Sequence, residues 1–272
     1  MTKTILITGA TDGIGLETAK RLAADGHTLL LHGRSATKLQ SLVETLGGLA
    51  EATNLETYQA DFSRLGDVAA MADAILAQHS SLDVLINNAG VFETSNPLTP
   101  EGDDVRFIVN TVAPYLLVEK LLPMIRKDGR IVNLSSAAQA PVDLNALQNG
   151  GQLVAGAAYA QSKLAITMWS MHLSHAIGQH GPTVLAVNPA SFLGSKMVKE
   201  AYGREGKDLG IGADILVRSA VSGEFEGVTG RYYDNDIGQL TDPHPDALDS
   251  NKNAAVVAAI ETVIRRLQAN KV

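Results

Sequence analysis

A tyrosine and a lysine stand four residues apart in Tyr159-Ala160-Gln161-Ser162-Lys163. On a helix, positions i and i+4 share a face, so both side chains would point the same way. A free tyrosine, with a pKa of about 10, is a poor base at neutral pH. A neighbouring ammonium favours the phenolate and brings proton exchange with a substrate oxygen within reach. The same lysine carries several donors that suit a nucleotide ribose. Taken alone, such a pair is most often a helix-surface contact. Here it has company.

The chain opens with a short apolar strand running into Thr8-Gly9-Ala10-Thr11-Asp12-Gly13-Ile14-Gly15. Gly9, Gly13 and Gly15 follow a G-x-x-x-G-x-G spacing. Glycine lets the backbone turn tightly and approach a pyrophosphate with no β-carbon in the way. A helix starting near Ile14 would aim its free N–H groups and positive dipole end at that anion. A second strand ends at His32-Gly33-Arg34-Ser35. It lacks the acid that would accept hydrogen bonds from an adenosine ribose. Arg34 instead offers a planar fork of donors to a 2′-phosphate. Asp12 adds a negative charge nearby and weighs mildly the other way. The balance favours NADPH, with NADH the second choice.

Ser135 and Ser136 close the apolar run Ile131-Val132-Asn133-Leu134. A hydroxyl there can donate to a carbonyl oxygen and stabilise charge developing on it. Successive strand residues face opposite sides, so at most one serine should face the site. Asn110 sits in the helix-like run 107–112, and an asparagine there needs a reason because it is a weak helix former. Asn87-Asn88-Ala89-Gly90 follows another apolar strand.

Holding these segments together requires an ordered frame. Strands are expected at Thr4–Thr8, Thr28–His32, Thr57–Ala60, Val84–Asn87, Arg130–Leu134, Thr183–Asn188 and Gly230–Tyr233. Helical patterns fall at 14–25, 36–47, 64–80, 102–125, 155–178, 209–221 and 251–269. Short continuous apolar strands alternating with amphipathic helices indicate a parallel sheet covered on both faces. The expected fold is a single-domain, Rossmann-type, doubly wound α/β sheet over residues 1–272. Segments 137–154 and 190–208 interrupt the rhythm beyond strand C-terminal ends, where ligands bind in open α/β sheets. The tail at 234–250 reads as an irregular surface segment.

Composition narrows the function further. The chain has 272 residues, a net charge of −7 and no cysteine. Disulfides, thiolate catalysis and thiolate metal sites are therefore excluded. Lysines and arginines are scattered, without the basic face that nucleic acid requires. No stretch is expected to approach the roughly 20 apolar residues of a membrane span. The seven histidines show no metal spacing, and Asp234, Asp236, Asp242 and His244 read as a solvated tail. A cytoplasmic protein without membrane or nucleic-acid partners is the expectation.

Thr8-Gly9-x-x-x-Gly13-x-Gly15, Asp61, Asn87-Asn88-Ala89-Gly90, Asn110, Ser136, Tyr159-x-x-x-Lys163 and Asn188-Pro189 occur in that order. With this set, residues 3 to about 195 resemble the short-chain dehydrogenase/reductase family. The resemblance implies an enzyme that moves a hydride between a nicotinamide nucleotide and a small carbonyl or alcohol substrate. It implies Tyr159 as acid/base, Lys163 as its tuner and ribose ligand, Ser136 as the serine facing the carbonyl, and Asn110 as holder of a water chain. Gly9, Thr11, Asp12, Gly13, Ile14 and Gly15 would form the phosphate turn. Asp61 would meet the adenine amino group with help from Phe62, Asn88 would brace the sheet, and Ala89 and Gly90 would pass the adenosine ribose. After the sixth strand similar proteins carry Pro-Gly and a nicotinamide-binding threonine. This chain has Pro189-Ala190, with Ser195 as the replacement for the threonine. The 23 residues from Ser136 to Tyr159 resemble the insertion of the retinol-dehydrogenase-like branch. Leu144, Leu147, Leu153 and Phe192 are expected as apolar walls of the substrate mouth. Relatives pair through helices matching 102–125 and the one after 155, implying a homodimer or homotetramer. A silent nucleotide-binding protein of the same fold, or a lyase or epimerase, are the rival readings.

Overall fold

The computed structural model describes residues 2–48, 54–151, 153–203 and 205–269. Its centre is one eight-stranded sheet in the order β3-β2-β1-β4-β5-β6-β7-β8. The strands are β1 (Thr4–Ile7), β2 (Thr28–Gly33), β3 (Leu55–Gln59), β4 (Leu82–Asn87), β5 (Ile125–Leu134), β6 (Thr183–Asn188), β7 (Arg231–Asp234) and β8 (Gln239–Thr241). All neighbours run parallel except β7 and β8, which form an antiparallel hairpin. The order reverses between β1 and β4, which creates the crevice that open α/β sheets use for ligands.

Strand alternation explains why both faces are covered. Leu6, Leu30, Leu85, Ile131 and Val184 point into one core, shared with α3 (Leu65–Gln78), α5 (Ala113–Leu121), α7 (Ala155–Ile177) and α11 (Ser250–Ala269). Ile5, Ile7, Leu29, Leu31, Val84, Ile86 and Val132 point into the other, shared with α1 (Gly13–Ala24), α2 (Ala36–Gly47) and α9 (Leu209–Val221). A central strand buried on both faces reads as an unbroken apolar run. Each fully buried aliphatic side chain contributes about 1.5–3 kcal/mol.

Expected and observed elements differ in instructive places. The 102–125 helix is composite: α4 (Val105–Phe107), a π-turn at Ile108–Val112, α5, and a 3-10 turn at Leu122–Met124. The run Val105–Met124 has a mean hydropathy of 1.3 and is long enough to cross a membrane, contrary to the expectation that no stretch came close. It is apolar because 72% of it is buried inside the fold. The 137–154 segment contains α6 (Leu144–Asn149), and 190–208 contains α8 (Lys196–Tyr202). The 234–250 tail is ordered as well, contributing β8 and α10 (Pro245–Leu248). β8 completes a hairpin whose turn meets the loop after β6.

Candidate active site

The cleft at the C-terminal edge of the sheet has a volume of about 430 Å³. It is lined by Gly9, Thr11, Asp12, Gly13, Ile14, Arg34, Asp61, Phe62, Asn88, Ala89, Gly90, Ser136, Tyr159, Lys163, Pro189 and Ser195. Of the residues expected for catalysis or cofactor binding, Gly15 and Asn110 are absent from this lining.

The glycine turn is built for close approach. Gly9 and Gly13 take φ of +68° and +54°. A β-carbon on Gly9 would lie 2.9 Å from Ala89 Cα. One on Gly15 would overlap the Gly9 carbonyl oxygen, so Gly15 serves the packing of α1 against the turn. Asp12 caps α1 by accepting from Gly13 N–H at 2.8 Å. Asn88 braces the other wall, donating from Nδ2 to the carbonyls of Thr8 at 2.9 Å and Gly9 at 3.1 Å.

His32, near the end of β2, fixes this turn from beneath. Its Nδ1 accepts from Gly9 N–H at 3.2 Å, and its Nε2 lies 3.1 Å from the Ala60 carbonyl. The pair of contacts matches a neutral ring protonated on Nε2. Burial pushes its pKa down to about 4, against the opposing pull of the Ala60 bond. The ring stacks on Phe62 with centroids 4.2 Å apart. Asp61 accepts from Ser63 N–H at 3.0 Å and from its hydroxyl at 2.8 Å. Partial burial would raise that carboxyl, but these bonds and the nearby Arg34 and Arg64 hold it below the usual range.

α7 delivers Tyr159 and Lys163 to the cleft, and a buried polar ladder sets its register on the sheet. Asn87 donates to Asn133 at 2.8 Å, and Asn133 donates to Ser170 at 2.8 Å. Ser135 lies 2.6 Å from Thr167 Oγ1 and donates to the Lys163 carbonyl at 3.1 Å. Both serines border the cleft, but Ser135 is buried with its hydroxyl turned toward α7, while Ser136 is half-buried. Ser136 Oγ accepts from Ala138 N–H at 3.1 Å, and its hydroxyl hydrogen remains for a substrate oxygen.

Lys163 Nζ lies 5.7 Å from the centre of the Tyr159 ring and donates to the Leu134 carbonyl at 2.7 Å. Burial lowers its pKa to about 8. Phe92 meets Tyr159 edge-on at 4.8 Å. Asn110 stands behind Gly90, in the π-turn, and is buried. Its Oδ1 accepts from Val91 N–H at 2.8 Å, while Nδ2 donates to the Val91 carbonyl and Ser162 Oγ, both at 2.9 Å. A β-carbon on Gly90 would lie 3.4 Å from Asn110 Oδ1 and 3.6 Å from Lys163 Nζ. Both are ordinary contact distances, so Gly90 borders the two polar groups without a steric need for glycine. π-Turns inside helices are frequent at functional sites.

The expected substrate walls need correction. Phe192 lines the cleft and is 53% exposed, but Leu144, Leu147 and Leu153 do not line it. Leu147 is buried in the core, with Leu144 and Leu153 packed against it. α6 packs on α11, and Arg266 of α11 donates to the Gln148 carbonyl at 3.1 Å. The apolar wall comes instead from Val91, Phe92, Phe192, Met197 and Val198. Among the described residues of 137–154 only Ala138 reaches the cleft, so 190–208 is the loop that shapes its mouth. Positions 152 and 204 of those segments lie outside the described residues. Ser195 faces the turn, 3.7 Å from where a Gly13 β-carbon would sit, and caps α8 by accepting from Val198 N–H at 3.3 Å.

The pattern has known counterparts. Residues 3–206 match the family model described as short chain dehydrogenase. Human retinol dehydrogenase 13 is 31% identical over 266 residues, covering 91% of this chain and 80% of that protein. Human polyprenol dehydrogenase is 30% identical over 251 residues, covering 85% and 76%. Among solved structures, an uncharacterised protein from Mycobacterium paratuberculosis superposes with a TM-score of 0.78, at 26% identity and 97% and 93% coverage. The landomycin C-6 ketoreductase LanV, solved with bound NADP and rabelomycin, gives a TM-score of 0.67 at 27% identity, covering 86% and 94%.

Proposed function

The chain belongs to the short-chain dehydrogenase family, and from that premise we propose an NADPH-preferring oxidoreductase that interconverts a carbonyl and an alcohol, with Tyr159 as its acid/base. The observation that carries this reading is that Tyr159 and Ser136 line the same cleft, with the buried Lys163 ammonium 5.7 Å from the centre of the phenol ring. When bound, the nicotinamide supplies the hydride in reduction and takes it back in oxidation. The chain's own residues do the rest. Ser136 donates a hydrogen bond to the substrate oxygen and stabilises the charge that gathers there. Tyr159 gives that oxygen its proton, or removes it in the reverse direction. Lys163 keeps the phenol acidic enough for this exchange. Asn110 supports proton resupply from behind Gly90.

The cleft fits the dinucleotide. A glycine turn braced by Asn88, a capped helix start and the acceptor carboxylate of Asp61 are groups that suit an adenosine diphosphate. Three observations support NADPH over NADH. Arg34 lines the cleft directly after β2, where no acid stands. The charge of Asp12, which weighed against a 2′-phosphate, is countered by Lys38 Nζ at 3.3 Å. The related LanV structure carries NADP.

The apolar residues of the mouth suit a substrate with an apolar body and one reducible carbonyl. A spectrophotometric screen of aldehydes and ketones with both cofactors tests the whole reading. Oxidation of NADPH with at least one carbonyl is expected; none across a broad panel would favour a silent nucleotide-binding protein. A cytoplasmic location and a homodimer or homotetramer belong to the same proposal, tested by fractionation and light scattering.

A further inference from the structure

The loop that follows β6 is held in a conformation its own residues disfavour. Among the described residues, Ala190 (φ +113°) and Phe192 (φ +57°) are the non-glycine positions with positive φ. Such backbone is unfavourable for residues with a β-carbon and persists only where the surroundings over-determine it. Both residues line the cleft, on the stretch that joins the β6 end to the glycine turn. A glycine at position 190 would carry no such cost.

The restraint comes from the β7–β8 hairpin. Asp236 Oδ1 accepts from Ser191 N–H at 2.9 Å, and Oδ2 accepts from Ser191 Oγ at 2.5 Å. Asn188 Nδ2 donates to Asp236 at 3.0 Å and to Asp234 at 2.7 Å. Asn235 Nδ2 donates to the Pro189 carbonyl at 3.0 Å. Lys207 Nζ lies 3.6 Å from Asp236, and Lys207 N–H donates to the Phe192 carbonyl at 2.7 Å. Partial burial would raise the Asp236 carboxyl, but the bonds from Ser191 and Asn188 outweigh it and keep it ionised. One carboxylate thus meets the residues on both sides of Ala190. It lies beyond residue 206, where the family match ends.

We propose that Asp236 is a positioning residue: it clamps Asn188 and Ser191, holds Ala190 in its strained form, and so sets the loop against which the nicotinamide half of the dinucleotide binds. The inference rests on the dinucleotide reading above. The loop bounds the end of the cleft that holds Ser136, since Tyr232 of the same hairpin donates to the Ser136 carbonyl at 3.1 Å. The adenosine half, by contrast, meets Gly9, Arg34 and Asp61, none of which touches the hairpin.

Isothermal titration with NADPH and with 2′-phospho-ADP-ribose, which lacks only the nicotinamide, separates the two halves without requiring turnover. Asp236→Ala should weaken NADPH about tenfold and 2′-phospho-ADP-ribose less than about twofold. Asp236→Asn keeps an acceptor for the Ser191 amide and should lose only about threefold for NADPH. Adding Ala190→Gly to Asp236→Ala should recover most of the loss, because glycine meets the required φ without strain. Unchanged NADPH affinity in Asp236→Ala, equal weakening of both ligands, or no recovery with Ala190→Gly would each overturn the clamp. A parent protein that binds neither ligand would instead defeat the dinucleotide reading, and the clamp's role with it.

Discussion

Lys163 Nζ donates to the Leu134 carbonyl at 2.7 Å while remaining on the cleft wall beside Tyr159. That bond ties α7 to the end of β5, one residue before the serine pair. It also anchors an ammonium that burial disfavours. Function and stability pull in opposite directions at this residue.

The conflict gives a pH signature. The displacement of Lys163 from 10.5 to about 8 corresponds to about 3 kcal/mol against the buried ammonium near neutrality. The unfolded chain binds the extra proton between those values, so this group's penalty is complete below pH 8 and fades as pH rises to 10.5. Lys163→Met should abolish turnover and flatten that rise. Urea unfolding of both proteins from pH 7 to 10.5 checks it; parallel curves would contradict it.

Protonating His32 should loosen the nucleotide turn. Its pKa is lowered from 6.5 to about 4, so the folded state takes up its proton later than the unfolded state as pH falls. The associated stability, about 3 kcal/mol, is complete above pH 6.5 and is lost as pH drops toward 4. The imidazolium also loses the acceptor for Gly9 N–H. His32→Gln can keep both contacts without titrating. Its unfolding curve should be flatter over pH 4–6.5 than the parent's, as followed by circular dichroism in urea. Equal slopes would remove His32 from the explanation.

Arg34 should decide between the two cofactors. A charge-assisted bond to the 2′-phosphate is worth about 2 kcal/mol, or roughly thirtyfold in affinity. Arg34→Ala should lose that factor for NADPH and change NADH little. Fluorescence titration with both measures it, and equal loss for both would defeat the preference.

The parts of this site that the sequence displayed are those built from neighbours along the chain. Tyr159 and Lys163 are one helical turn apart, and Gly9, Gly13 and Gly15 belong to one strand–turn–helix unit. The two faces of the sheet were legible because strands buried on both sides are apolar throughout. His32 and Asp236 were invisible because their partners, Gly9 and Ser191, lie 23 and 45 residues away. β8 is three residues with no alternating pattern, and only its pairing with β7 defines it. Leu144, Leu147 and Leu153 misled because an apolar loop residue can face a pocket or the core, and here α11 supplied the core.

The central claim is that a single phenol hydroxyl carries the proton. Turnover and NADPH affinity of Tyr159→Phe test it together. A general acid contributes about 10²–10⁴ in rate, so carbonyl reduction should fall by that factor while NADPH affinity stays within about twofold. A variant that reduces its substrate at the parental rate would contradict the account.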